Sequence, residues 1–138
     1  MDIGAAFTKI HFLAVVLAAL SSFIVGGLWY SPILFAKAWM KHTGLTEQDL
    51  ARGSKAAVFG GAFVNALVSS LVLALFLGPK VGVGAGAIAG FLVGFGWVAT
   101  SLGTTFLFER RSRALIAIDA GYHVVGFTLM GTILGAMS

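Results

Sequence analysis

Cysteine is absent from the 138-residue sequence, and only 10% of its residues are charged. Without cysteine the chain forms no disulfide, no thiolate nucleophile and no cysteine-ligated zinc site. Ordinary globular domains carry about 25% charged residues, so the shortage of charge argues against a soluble protein. No lipidation motif and no low-complexity tract is present either.

Long apolar runs dominate the sequence. Hydrophobic residues make up 59% of the chain, and its mean hydropathy is +1.00. Four runs reach the roughly 20 residues that a helix needs to cross a membrane: about 11–31, 56–78, 83–107 and 114–137. Their apolar residues are continuous rather than alternating, which excludes a β-barrel. The first run is too long for the apolar core of a signal peptide and is expected to be retained. We therefore predict an all-α integral membrane four-helix bundle, with residues 1–138 as a single membrane domain.

Basic residues are distributed unequally between the connections. Seven follow the first or third span, whereas two lie at the opposite ends: Lys37, Lys41, Arg52, Lys55, Arg110, Arg111 and Arg113 against Lys9 and Lys80. Because basic loops stay in the cytoplasm, both termini are predicted on the non-cytoplasmic side. This role accounts for the net charge of +4, so no nucleic-acid partner is predicted.

The segment after the first span has the composition of a membrane-interface segment. Trp29 and Tyr30 suit the headgroup boundary, and Ser31 followed by Pro32 predicts the start of a short interfacial helix. Apolar residues interleave there with basic ones, which favours contact with anionic lipid headgroups. Membrane-interface residues are therefore expected at Trp29, Tyr30, Lys37, Trp39, Lys41, Arg110, Arg111 and Arg113.

Gly44 is predicted to end this interfacial helix, and Thr46 is predicted to cap the next one. Glu47 and Asp49 would then lie in a first helical turn, where the helix dipole favours acids. We expect the second span to begin as a cytoplasmic extension of this helix.

Glycines recur every four residues in the third span, at Gly82, Gly86, Gly90 and Gly94. Membrane helices associate through close backbone approach at such small residues. The stripe is interpreted as packing within the chain, with a second subunit as the alternative. A homo-oligomer is also expected because four short helices enclose little volume.

Polar residues concentrate in the cytoplasmic half of the predicted spans. Asp119 and His123 are four residues apart and share one helix face, with Tyr122 beside them. Counting residues from the span midpoints places Asn65 level with His123 and Ser101 level with Asp119. We therefore interpret Asp119, His123, Asn65, Ser101 and Tyr122 as candidates for a ligand- or proton-binding layer, in which Asp119 could hold one histidine nitrogen. Interhelical hydrogen bonding that serves packing alone is the alternative.

Catalysis and metal binding have weaker support. An Asp–His pair without a clear nucleophile, a second carboxylate at the same depth or an HExxH motif is weak evidence for an enzyme. His11 and His42 lie at opposite faces of the predicted membrane domain and cannot join His123, so no metal site and no cofactor is predicted. The preferred function is binding of a proton or small ligand. The alternative is a structural or partner-binding subunit that acts through its basic cytoplasmic loops.

Two stretches are similar to one known family: "GGLWYSPILFAKAWMKHTGLTEQDL" and "FERRSRALIAIDAGYHVVGFTLMGTILG". The sequence resembles a group of small bacterial four-helix membrane proteins catalogued as domain of unknown function 1761. The most specific matches are the turn at 29–32, the segment 37–41, Gly121-Tyr122-His123 and the Met130-Gly131 pair. The resemblance implies a multi-pass protein of the bacterial inner (cytoplasmic) membrane with the same four spans. It implies no activity, cofactor or substrate.

Overall fold

The computed structural model describes residues 1–138 and is entirely helical. Its helices are α1 (Ile3–Thr8), α2 (Phe12–Trp29), α3 (Ala36–Thr43), α4 (Glu47–Ala51), α5 (Lys55–Leu77), α6 (Val83–Phe108) and α7 (Arg113–Ala136). Helix α6 contains a π-helical segment at Gly94–Ala99. Four of these helices, α2, α5, α6 and α7, are long and apolar enough to cross a membrane. The all-α prediction with four spans is confirmed, and every predicted boundary lies within two residues of the observed one.

Helix α7 lies at the centre of the bundle and packs against α6 on one side and α2 on the other. Helix α5 packs against the far side of α2, whereas α5 and α6 barely touch. An apolar groove of about 400 Å³ separates these two helices, with Phe76 of α5 and Trp97 of α6 among its walls. The spans are therefore arranged in the order α5, α2, α7, α6, with an opening between the first and the last.

The predicted glycine stripe packs inside the chain, against α7. A Cβ atom on Gly90 would overlap the carbonyl oxygen of Phe127, and one on Gly86 would overlap that of Gly131. Farther along, a Cβ on Gly94 would lie 3.0 Å from the Cα of Val124. Only residues without side chains permit this backbone-to-backbone contact. Gly86, Gly90 and Gly94 thus already face α7 and not a second subunit, whereas Gly82 precedes the helix with φ +85° and a Cβ on it would meet no atom within 4 Å.

The tightly packed core lies in the half of the bundle that holds both chain termini, here called the terminal half. Its buried side chains come from α2, α5 and α7: Ala14, Val15, Ala18, Ala19, Ala66, Leu73, Met130 and Leu134. Ser70 is fully buried among them and donates a hydrogen bond to the carbonyl oxygen of Val15 at 2.8 Å. The other half, called the loop half, carries the α2–α5 and α6–α7 connections and most of the polar residues.

The connection between α2 and α5 differs from the prediction in two places. The interfacial helix was predicted to start at Pro32 with Ser31 as its cap, but α3 begins at Ala36. The Ser31 hydroxyl donates to the carbonyl oxygen of Leu28 instead of capping a new helix, and 31–35 forms turns. The predicted helical extension of α5 is also wrong, because Gly53 has φ +78° and separates α4 from α5.

Two other local predictions for this connection are confirmed. Gly44 ends α3 in the left-handed conformation, with φ +77°. Thr46 caps α4, and Asp49 completes a capping box with it. These hydrogen bonds from Thr46 lower the pKa of the Asp49 carboxyl group below its usual value. Short, independently capped helices therefore cover the loop half of the bundle.

Candidate functional site

A cavity of about 390 Å³ opens in the loop half between α2, α3 and α7. Its wall combines aromatic, apolar and ionisable side chains: Tyr30, Ala36, Trp39, Met40, Leu50, Leu102, Asp119, Tyr122 and His123. Three of the five predicted binding candidates, Asp119, Tyr122 and His123, are therefore brought together. Their spacing of three and four residues places them on one face of α7.

Glycines bring the aromatic walls close to the helix backbones. A Cβ atom on Gly26 of α2 would lie 3.1 Å from the hydroxyl oxygen of Tyr122. A Cβ on Gly121 of α7 would lie 3.0 Å from a ring carbon of Trp29. The missing side chains thus leave room for one ring of each helix to lie against the other helix.

Three hydrogen bonds join α2 to α7, two of them at the end of α2 and one near its middle. The Tyr30 hydroxyl donates to Oδ1 of Asp119 at 2.7 Å, and the Trp29 indole donates to the carbonyl oxygen of Ile118 at 2.9 Å. One turn deeper, the Tyr122 hydroxyl donates to the carbonyl oxygen of Ser22 at 3.3 Å. The contact with Asp119 is short, as expected when the acceptor is a carboxylate.

Tyr30 directly follows the last residue of α2. Burial and the neighbouring Asp119 carboxylate raise its pKa far above the ordinary value near 10. The phenol therefore stays protonated and remains a donor. The other side-chain oxygen of Asp119 has no hydrogen-bond partner in the chain. Every buried side-chain nitrogen or oxygen atom does have a partner, so this oxygen is not buried. That oxygen is accordingly open to the cavity and available to a bound molecule.

His123 lies on Tyr122, with ring centroids 4.9 Å apart and planes at 50°. No hydrogen bond joins it to Asp119, whose nearest partner is Tyr30. The structure therefore replaces the expected Asp119–His123 contact with a Tyr30–Asp119 contact and leaves the imidazole nitrogens free in the cavity wall.

The other two predicted candidates lie elsewhere. Asn65 is exposed on the outer face of α5, next to the buried Ala66 that packs against α2. Ser101 is exposed on α6 and lines a separate shallow groove with Trp97 and Thr105. Equal depth along the helices was predicted for these residues, but their helix faces turn them away from the cavity.

Tyr30 and Trp39 are the site residues that sequence reasoning missed, because both had been interpreted only as interface residues. Tyr30 meets Asp119 across 89 positions of sequence. The adjacent aromatic pair at 29–30 was the available signal, since polar aromatic groups that leave the interface need hydrogen-bond partners.

Helices α3 and α4 cover the cavity from the loop side, since Trp39, Met40 and Leu50 contribute to its wall. A hydrogen bond of 2.9 Å joins Nδ1 of His42 to the hydroxyl of Ser112 and ties α3 to the start of α7. Ser112 also accepts the N–H of Leu115 and so caps α7. No group of three His, Cys, Asp or Glu side chains is positioned to hold a metal ion.

Four helices long and apolar enough to cross a membrane define the class of the chain as a multi-span helical membrane protein. A family described as "Protein of unknown function (DUF1761)" matches residues 13–135, and the chain belongs to this family. The resemblance seen in the sequence is thereby confirmed. No curated protein and no solved structure matches the chain.

Proposed function

We propose that the protein is a membrane module that binds a proton or a small ligand in the cavity around Asp119. The observation that carries this proposal is a carboxylate inside a membrane span with one oxygen held by Tyr30 and the other open to the cavity. Ionisable groups are costly in lipid and usually serve a function there. A binding role is preferred to an enzymatic one because the wall contains no serine, cysteine or lysine nucleophile.

The proposed orientation places the cavity toward the cytoplasm. The loop half carries seven of the nine lysine and arginine residues, and the positive-inside rule keeps such loops in the cytoplasm. Both termini would then lie on the non-cytoplasmic side of a bacterial inner membrane. Helix α3 would lie along the headgroups, with its exposed Lys37 and Lys41 toward anionic lipids.

The proposed function is tested by a pH titration of His123. Because the chain has three histidines, replacing His11 and His42 by Gln leaves a single imidazole for NMR in lipid. A cavity that exchanges protons or ligands with water gives a His123 signal that titrates with pH. We expect the midpoint to change when Asp119 is replaced by Asn, since the two groups share the cavity wall.

A His123 signal that keeps one state over the accessible pH range, and ignores Asp119→Asn, would contradict the proposal. Glu109→Gln provides the matched control, because this exposed acid pairs with Arg111 outside the cavity. That substitution is expected to leave the His123 titration unchanged.

We infer a homo-oligomer from the exposed face of α5. Asn65 lies near the middle of this span, is exposed, and has no hydrogen-bond partner in the chain. Its carboxamide would be unsatisfied in lipid, whereas a second copy of α5 could pair with it. Val64 and Val68 on the same exposed side, with 55% of each accessible, would pack beside it.

Replacing Asn65 by Leu is expected to weaken self-association roughly 3- to 30-fold, because an interhelical hydrogen bond in a membrane contributes about 0.6–2 kcal/mol. Analytical ultracentrifugation in maltoside micelles measures the change. Ile88→Leu, which alters an exposed apolar residue on α6 instead of α5, should leave association nearly unchanged. A wild-type protein that is monomeric at every concentration would rule out the oligomer.

Exposed basic residues support a second function, binding of a partner or of anionic lipid by the loop face. Lys37, Lys41, Arg110 and Arg113 are exposed, and Arg110 adopts a left-handed conformation, φ +62°, in the turn between α6 and α7. In that case the Tyr30–Asp119 contact would serve only to hold the bundle together.

A further inference from the structure

Three aromatic rings in the cavity wall pack edge to face on one another. The Tyr30 ring lies 5.8 Å from Trp39 with planes at 71°, and 5.6 Å from Tyr122 with planes at 66°. Tyr30 is therefore the middle member of a three-ring cluster, and all three rings line the cavity. The rings come from the end of α2, from α3 and from α7, so this aromatic wall exists only in the folded bundle.

The charge of the cavity wall has one sign. Asp119 is its only acidic residue, and the wall contains no lysine or arginine. Besides Asp119, His123 and the three aromatic rings, the wall contains only apolar side chains: Ala36, Met40, Leu50 and Leu102. An anion would find no permanent positive charge here. A divalent metal would find one carboxylate where such ions require several oxygen ligands.

Resting on the proposed function, we infer that the cavity takes a monovalent organic cation, an ammonium group with apolar substituents. Such a cation is attracted to the faces of Trp and Tyr rings, and quaternary ammonium ligands are typically held in aromatic cages. The open oxygen of Asp119 balances its charge, and the apolar walls accept its substituents. The same ammonium chemistry occurs in free solutes and in lipid headgroups.

Isothermal titration calorimetry with tetraethylammonium chloride tests this inference, using protein in maltoside because this detergent carries no ammonium group. We expect saturable binding that Asp119→Asn and Trp39→Leu each weaken at least tenfold. Trp39 lies on α3, outside the four spans, so its replacement is expected to change the cavity wall without removing a contact between spans. Glu109→Gln and Trp97→Leu alter an acid and a tryptophan outside the cavity and should bind normally.

Absence of saturable binding, or binding that neither Asp119→Asn nor Trp39→Leu weakens, would overturn the inference. If His123 still titrates in response to Asp119 while tetraethylammonium does not bind, only the ligand class fails. If neither occurs, the proposed function fails as well. Titration with dihexanoyl phosphatidylcholine below its micellar concentration distinguishes a lipid headgroup from a free solute as the natural source of the ammonium group. Asp119-dependent binding tighter than that of tetraethylammonium supports a headgroup, and weaker binding supports a free solute.

Discussion

Replacing Gly90 by Ala is expected to destabilise the bundle by about 3 kcal/mol. The new Cβ atom would overlap the carbonyl oxygen of Phe127, which is backbone and cannot rotate away. Helices α6 and α7 would have to separate, and the neighbouring contact between Gly86 and Gly131 would open with them. Unfolding by SDS, followed by far-UV circular dichroism in mixed micelles, measures the loss.

Gly103→Ala is the matched control on the same helix. A Cβ there would lie 3.9 Å from the nearest atom, a side-chain carbon of Ile116 on α7, which is ordinary contact. Since Ala favours a helix over Gly by up to about 1 kcal/mol, this variant should be as stable as the wild type or slightly more stable. Equal destabilisation by the two substitutions would show that close backbone contact is not what holds α6 to α7.

Tyr30 is expected to remain un-ionised at pH 11, where an ordinary tyrosine with a pKa near 10 is about 90% ionised. Its pKa is raised by burial and by the Asp119 carboxylate, which both oppose a phenolate. A raised pKa means that the stabilising contribution is complete below pH 10 and is lost as pH rises through the folded-state value. The chain has two tyrosines, so absorbance at 295 nm in a Tyr122→Phe background reports Tyr30 alone.

Asp119→Asn in the same background should lower the pKa of Tyr30 while leaving it above the ordinary value, because burial, the largest single cause of the raised pKa, remains. N-acetyltyrosinamide in the same detergent gives the reference curve. Ionisation of Tyr30 with a midpoint near pH 10 in the folded protein would mean that the phenol is not enclosed against Asp119.

The spans could be predicted from sequence because lipid imposes a simple length and polarity requirement on each helix. The polar cluster on α7 could also be predicted, since residues three and four apart share a helix face. The cavity itself could not, because its main contact joins Tyr30 to Asp119 across the connection and depends on how α2 packs against α7. The depth of a residue in the membrane follows from its position along one helix. Whether its side chain faces another helix depends on how the helices pack.

The same limit explains Asn65, Ser101 and the glycines. Depth alone gave no information about which face of α5 or α6 meets its neighbour, so Asn65 and Ser101 were expected in a cavity that they do not reach. A four-residue glycine repeat shows that some backbone approaches closely. The sequence does not reveal whether that backbone is α7 or another subunit until the helix order is known.

The opening between α5 and α6 divides the four spans into two helix pairs, α5 with α2 and α6 with α7. Glycine contacts join α6 to α7, and α5 packs on α2, so most of the contact between the two pairs lies between α2 and α7, with a smaller part between α5 and α7. The hydrogen bonds of Trp29 and Tyr30 cross that junction at one end. Under the proposed function, a molecule bound beside Asp119 would contact the same side chains that join the two helix pairs, so its binding and the stability of that junction would be linked.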